Sequence, residues 1–190
     1  MSGSRLNIAV IVGSTREGRF GPTVAAWFVA EARQRDDITI DVIDLAEVDL
    51  PSIYPRRPSA SVDAYVERLG RADGFVVITP EYNHGYPAAL KQAIDLAYHE
   101  WRAKPVAFVS YGGMAGGLRA VEQLRQVFAE LHATTVRDTV SFHLAHAAFD
   151  AAGNPHDSTG PAAAAKTMLD QLAWWATALR AARTATPYAA

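Results

Sequence analysis

The chain has 190 residues, 49% of them apolar and 20% charged, a size and composition suited to one globular domain with a single substantial core. Its formal net charge of −2 gives no electrostatic case for binding nucleic acid or an anionic membrane. With no cysteine, disulfides, thiolate catalysis, thiolate metal sites and iron–sulfur clusters are excluded, so any redox chemistry must come from a bound organic cofactor.

Met1-Ser2-Gly3-Ser4-Arg5 leads straight into a short strand rather than into a signal sequence, and no apolar stretch is long enough to span a bilayer, so the cytoplasm is the expected compartment. A first strand is expected over residues 6–12. The loop that follows, from Gly13 to Thr23, carries Ser14, Arg16, Arg19, Phe20 and Gly21, with Pro22 where a helix begins. Unpaired N–H groups and a partial positive charge at a helix N-terminus stabilise a dianionic group there, so this loop reads as a phosphate site. It is not a P-loop, which needs Gly-x-x-x-x-Gly-Lys-Ser/Thr, and it lacks the dinucleotide fingerprint Gly-x-Gly-x-x-Gly. The bland alternative makes Arg16 and Arg19 ordinary surface charges.

The first helix is expected over residues 23–34 and a second strand over 38–43. Asp44, which closes that strand, reads as a turn residue rather than a ribose-binding acid. A helix over 61–71 leads to a strand over 74–79, where Phe75-Val76-Val77-Ile78 is apolar on both faces and marks a buried parallel strand. After it comes Pro80-Glu81-Tyr82-Asn83-His84-Gly85-Tyr86-Pro87, which combines aromatic surface with amide and carboxylate groups on a backbone fixed by proline and glycine. His84 has two readings, stacking near a ligand or capping the next helix, and the cap is favoured. A helix over 88–99 and a strand over 105–110 follow. The next loop, Ser110-Tyr111-Gly112-Gly113-Met114-Ala115-Gly116-Gly117, lets main-chain amides approach a planar ligand closely.

A helix over 118–131, a fifth strand over about 134–142 and a last helix over about 161–183 complete the order βαβαβαβαβα. The expected domain spans residues 1–184, and 185–190 reads as a disordered tail. Right-handed crossovers place the strand-to-helix loops along one sheet edge. One loop there suits a phosphate and two suit a flat heterocycle, so a mononucleotide with a large ring system would fill all three. His143, His146 and His156 read as a solvated or interface loop rather than a metal site, since no carboxylate stands at ligand spacing. Trp174 and Trp175 are expected to pack on the sheet or on a partner subunit.

The pattern Gly13-Ser14-Thr15-Arg16, then Pro80-Glu81-Tyr82-Asn83-His84-Gly85-Tyr86-Pro87-Ala88-Ala89-Leu90-Lys91, then Ser110-Tyr111-Gly112-Gly113 resembles the NADPH-dependent FMN reductase family over about residues 6–140. The resemblance implies a flavodoxin-like three-layer α/β fold, a five-stranded parallel sheet with helices on both faces. It also implies bound FMN, NADPH or NADH as hydride donor, a small acceptor such as a quinone, azo dye or free flavin, and a homodimer or homotetramer. It places Ser14 and Arg16 on the FMN phosphate, with Arg19, Phe20, Gly21 and Thr23 closing that loop. Pro80, Glu81, Tyr82 and Asn83 would border the isoalloxazine, and Ser110, Tyr111, Gly112 and Gly113 would lie against its pyrimidine side or ribityl chain. One departure is that Arg19 and Gly21 stand where many members carry Ser and Asn. Chemistry then resides in the cofactor, and no side chain is assigned a catalytic role. The alternative is a flavodoxin-type electron carrier without NAD(P)H turnover, for which a charge of −2 is weak support.

Overall fold

A computed structural model describes residues 5–189. Met1 to Ser4, read above as leading into the first strand, and Ala190 of the expected tail lie outside the described residues. The chain alternates β1 (Leu6–Val12), α1 (Gly21–Ala32), β2 (Ile38–Asp44), α2 (Ala60–Arg71), β3 (Gly74–Pro80) and α3 (Ala88–Asp95). A short 3₁₀ turn (His99–Trp101) precedes β4 (Pro105–Tyr111) and α4 (Leu118–Glu130). Two short strands, β5 (Thr134–Thr135) and β6 (Val140–Phe142), then lead through α5 (Ala145–Ala148) to α6 (Thr159–Ala185).

All strand pairs are parallel, in the order β2-β1-β3-β4-β5 with β6 also on β4. The period-two alternation of β1 sends Ile8, Val10 and Val12 into a core shared with α1 and α6, while Ala9 and Ile11 meet Tyr65, Leu69, Trp101 and Phe128 on the opposite face. Both faces are therefore covered, and every residue of β3 and β4 is buried. This is the expected flavodoxin-like sandwich. Because β1 has β2 on one side and β3 on the other, the chain reverses direction across the sheet between β1 and β3, and the loops after these strands diverge to leave a crevice. Among the described residues, no helix is long and apolar enough to cross a membrane.

The strands begin where their apolar runs begin, but several boundaries differ from expectation for identifiable reasons. Helix α1 starts at Gly21, earlier than expected, with Pro22 in its first turn where the missing N–H costs nothing. Helix α3 stops at Asp95 rather than running to residue 99. The indole of fully buried Trp101 donates to the carbonyls of Ile94 and Ala97, both at 3.1 Å, and turns the chain inward there.

The fifth strand is split. Val106 pairs with Thr135 and Val109 with Val140, so three steps along β4 match five on its neighbour and the intervening residues loop out. Side chains take over there: Arg125 donates to the carbonyls of Val136 and Arg137 at 2.8 and 3.0 Å, and the Asp138 N–H donates to Gln171 at 3.2 Å. Helix α6 runs through Ala185, into the expected tail, and beyond it the Tyr188 hydroxyl lies 3.0 Å from His132 Nδ1. Trp174 and Trp175 do not pack on the sheet. They are 64% and 38% exposed and stack edge to face on each other at 5.0 Å.

Candidate functional site

The three loops singled out in the sequence meet at the C-terminal ends of β1, β3 and β4. Ser14 is fully buried, and its hydroxyl accepts a hydrogen bond at 3.1 Å from Tyr111, the last residue of β4. Burial pushes the Tyr111 phenol up to about 12, so it stays a donor throughout the physiological range. The first and third loops are thereby tied across the intervening β3. Gly21 sits against this tie. A Cβ at that position would stand 2.7 Å from Ser14 Oγ and 3.0 Å from the Tyr111 hydroxyl, so the close approach of α1 admits only glycine.

The two arginines of the first loop do different things. Arg19 makes a bidentate pair with Asp44 at 2.6 and 2.8 Å and also donates to the Ser14 carbonyl at 3.1 Å, which raises its own pKa through the Asp44 hydrogen bond. Asp44 also accepts from the Ala46 N–H at 3.1 Å, and so serves as a turn residue as well as the partner of Arg19. The Arg19 charge is thus neutralised inside the protein. The Arg16 side chain makes no hydrogen bond or ion pair to any described residue, and its guanidinium lies 5.0 Å from the centre of the Tyr82 ring. Phe20 is the N-cap of α1, and its ring packs on Phe149 at 5.3 Å; Thr23 follows in the first turn.

Tyr82 lies in a tight turn in which its N–H and carbonyl exchange hydrogen bonds with Gly85 at 2.9 and 3.0 Å. Asn83 and His84 occupy the two central positions with φ of 50° and 70°, the geometry of a type I′ turn. The cap expected of His84 is not made. Pro87 is the N-cap of α3, and His84 turns instead to Arg119 of α4, with Nε2 at 2.7 Å from the guanidinium. The Glu81 N–H donates to the Tyr111 carbonyl at 3.1 Å, joining the second loop to the third. In that third loop Ser110 is fully buried, and its hydroxyl is occupied by the Gly116 carbonyl at 2.8 Å. Gly117, the N-cap of α4 at φ 87°, would place a Cβ 2.6 Å from that of Ser110.

Between these loops lies a cleft of about 410 Å³, walled by Pro80, Glu81, Tyr82, Tyr111, Gly112 and Gly113 on one side and by residues 144–147 on the other. A smaller pocket of about 230 Å³, lined by residues 16–20, adjoins it, and the two share Tyr82, Tyr111 and His146. The first is largely apolar with room for a planar group; a side chain at Gly113 would meet no atom within 4 Å. The second contains an arginine without a carboxylate partner at a helix N-terminus. This donor set fits a ring system joined to a phosphate. Sequence reasoning missed His146, whose ring lies 4.7 Å from Phe20 where the compartments meet. Only the left-handed Leu144, at φ 46°, and the short α5 bring it there, and neither has a signature in the local sequence.

Sheet order and crevice define a flavodoxin-like α/β protein whose strand order reverses between β1 and β3, beside the cleft. The family model described as NADPH-dependent FMN reductase matches residues 6–147, and the chain belongs to that family. It is 40% identical over 129 residues to an NAD(P)H-dependent FMN reductase of Schizosaccharomyces pombe, covering 63% of this chain and 64% of that protein. To a quinone reductase of Escherichia coli it is 33% identical over 136 residues, or 68% of this chain and 72% of the relative. Among solved structures, a flavoenzyme NAD(P)H:acceptor oxidoreductase from Paracoccus denitrificans superposes with a TM-score of 0.73 at 24% identity, covering 91% of this chain and 98% of the other. That likeness concerns the fold.

Proposed function

We propose that the chain is an NAD(P)H-dependent FMN oxidoreductase acting on small acceptors of the quinone or flavin type. The observation that carries this reading is the two-compartment cleft, a flat apolar slot continuous with an arginine-bearing pocket at the start of α1. Family membership supports it. Bound FMN would supply hydride acceptance from the nicotinamide and electron delivery to the acceptor.

The protein's share is binding and exclusion of water. Arg16 and the N-terminus of α1 would hold the phosphate, the Ser14–Tyr111 hydrogen bond keeps the loop in shape, and Tyr82 with Pro80 and Gly112 would border the ring. Arg19 takes a supporting part through Asp44 rather than a direct one. Leu144, 60% exposed, lines the cleft, and Met114, 88% exposed, follows Gly113 of the cleft wall in the chain. Such an apolar rim supports a homodimer or homotetramer with the flavin near a subunit boundary. The expected cytoplasmic location belongs to the same proposal.

The test is the visible spectrum of the purified protein after addition of FMN and desalting, then anaerobic NADPH and NADH in separate cuvettes. Retained yellow colour that either donor bleaches within seconds to minutes is expected. Colour retained without bleaching would establish the electron carrier instead, and no retained colour would overturn tight flavin binding.

A further inference from the structure

We infer that Arg119 is a positioning residue, which clamps the turn carrying Tyr82 and Asn83 in its ligand-ready shape. Arg119 stands in the first turn of α4, outside the loops that line the cleft. Its Nε donates to one oxygen of Glu81, its backbone N–H donates to the other at 3.2 Å, and Nη1 donates to His84 Nε2 at 2.7 Å. A guanidinium has only donors, so Nε2 must accept and the ring proton sits on Nδ1. One turn further along α4, Gln123 donates to the His84 carbonyl at 2.9 Å. One face of α4 therefore grips the second loop at its carboxylate, its imidazole and its main chain.

Such a grip is needed because the turn is costly. Asn83 and His84 both hold positive φ, a conformation that L residues adopt only when their surroundings over-determine it. The Glu81 side chain is only 6% exposed, so its charge requires a partner, and the partner is Arg119. The carboxylate that borders the cleft is consequently engaged by α4 and serves to orient Tyr82, whose ring forms the wall shared by the two compartments.

The role rests on the FMN reading, and its test separates the two. FMN titrations followed by flavin fluorescence, visible circular dichroism of the bound flavin and thermal unfolding would be compared in the wild type, Arg119→Ala and Arg119→Lys. Arg119→Ala is expected to weaken FMN binding roughly tenfold, the scale of one charged hydrogen bond, and to change the flavin dichroism while the protein still unfolds cooperatively. Lysine keeps the charge opposite Glu81 but loses the fork, so Arg119→Lys should recover part of the affinity and more of the dichroism. Should the alanine variant fail to fold, the lysine variant reads the same way. Wild-type affinity and dichroism in the variants would overturn the inference alone. A wild-type protein that binds no FMN would overturn the cofactor reading, and this role with it.

Discussion

Arg16 and Arg19, three residues apart in one loop, have different partners, and on the proposed reading those partners decide which of them meets the FMN phosphate. Arg19, with side chains on both sides of its pair with Asp44 about 85% covered, is fixed within the protein. Arg16 faces the pocket over an aromatic ring and is available to a ligand. Arg16→Ala is therefore expected to raise the FMN dissociation constant by roughly 10- to 150-fold, corresponding to about 1.5–3 kcal/mol for a charged hydrogen bond, with no change in the melting temperature of the flavin-free protein. Arg19→Ala should act the other way round. It strands Asp44 and releases the Ser14 carbonyl, so the melting temperature should fall whether or not flavin is present. Titration and thermal unfolding of the two variants check both halves, and equal FMN affinity in Arg16→Ala would remove that residue from the site.

Much of the framework was legible because the buried parallel strands announce themselves as apolar runs and their crossovers admit one hand. Phe75-Val76-Val77-Ile78 is a strand in sequence and in structure, and the loops at Gly13, Pro80 and Ser110 converge as a parallel topology requires. What escaped the sequence are features decided by distant side chains. The end of α3 is set by Trp101, six residues beyond Asp95; the break in the fifth strand by Arg125 and Gln171; and the place of His146 by one left-handed residue. The break has a consequence for the site, since β6 leads directly into the wall formed by residues 144–147. Arg125→Met keeps an apolar stem beside Phe108 but leaves the Val136 and Arg137 carbonyls without that donor. A loss of about 1–3 kcal/mol in urea unfolding is expected. Amide exchange over residues 134–147 should quicken more than elsewhere, and an unaltered exchange pattern would mean that the break is held by other contacts.

The fold as a unit carries a pH signature that comes from three buried ionisable groups, Lys104 just before β4, Tyr65 of α2 and Tyr111 at the end of β4. Lys104 is buried, and its Nζ donates to the carbonyls of Leu69 and Gly70 at 2.9 and 3.0 Å at the end of α2. Burial, with the nearby charge of Arg183, pulls its pKa down to about 8. In the unfolded chain the same group titrates near lysine's ordinary value of about 10.4. Below pH 8 folding therefore carries the full cost of the buried charge. As pH rises from about 8 towards 10.4 the unfolded chain binds more protons than the folded one, and stability increases, on the order of 3 kcal/mol from this group alone. Tyrosines act in the opposite sense. Burial raises the pKa of Tyr65, whose hydroxyl donates to the Ala93 carbonyl at 3.1 Å, and that of Tyr111 to about 12. Their contribution is complete below the unfolded value of about 10 and is lost as pH climbs through the folded values. Urea unfolding should thus show stability rising from about pH 8 to a maximum near pH 10 and falling beyond it. Lys104→Met should flatten the rising limb and Tyr111→Phe should soften the falling one. A rising limb that survives in Lys104→Met would assign it to some other group.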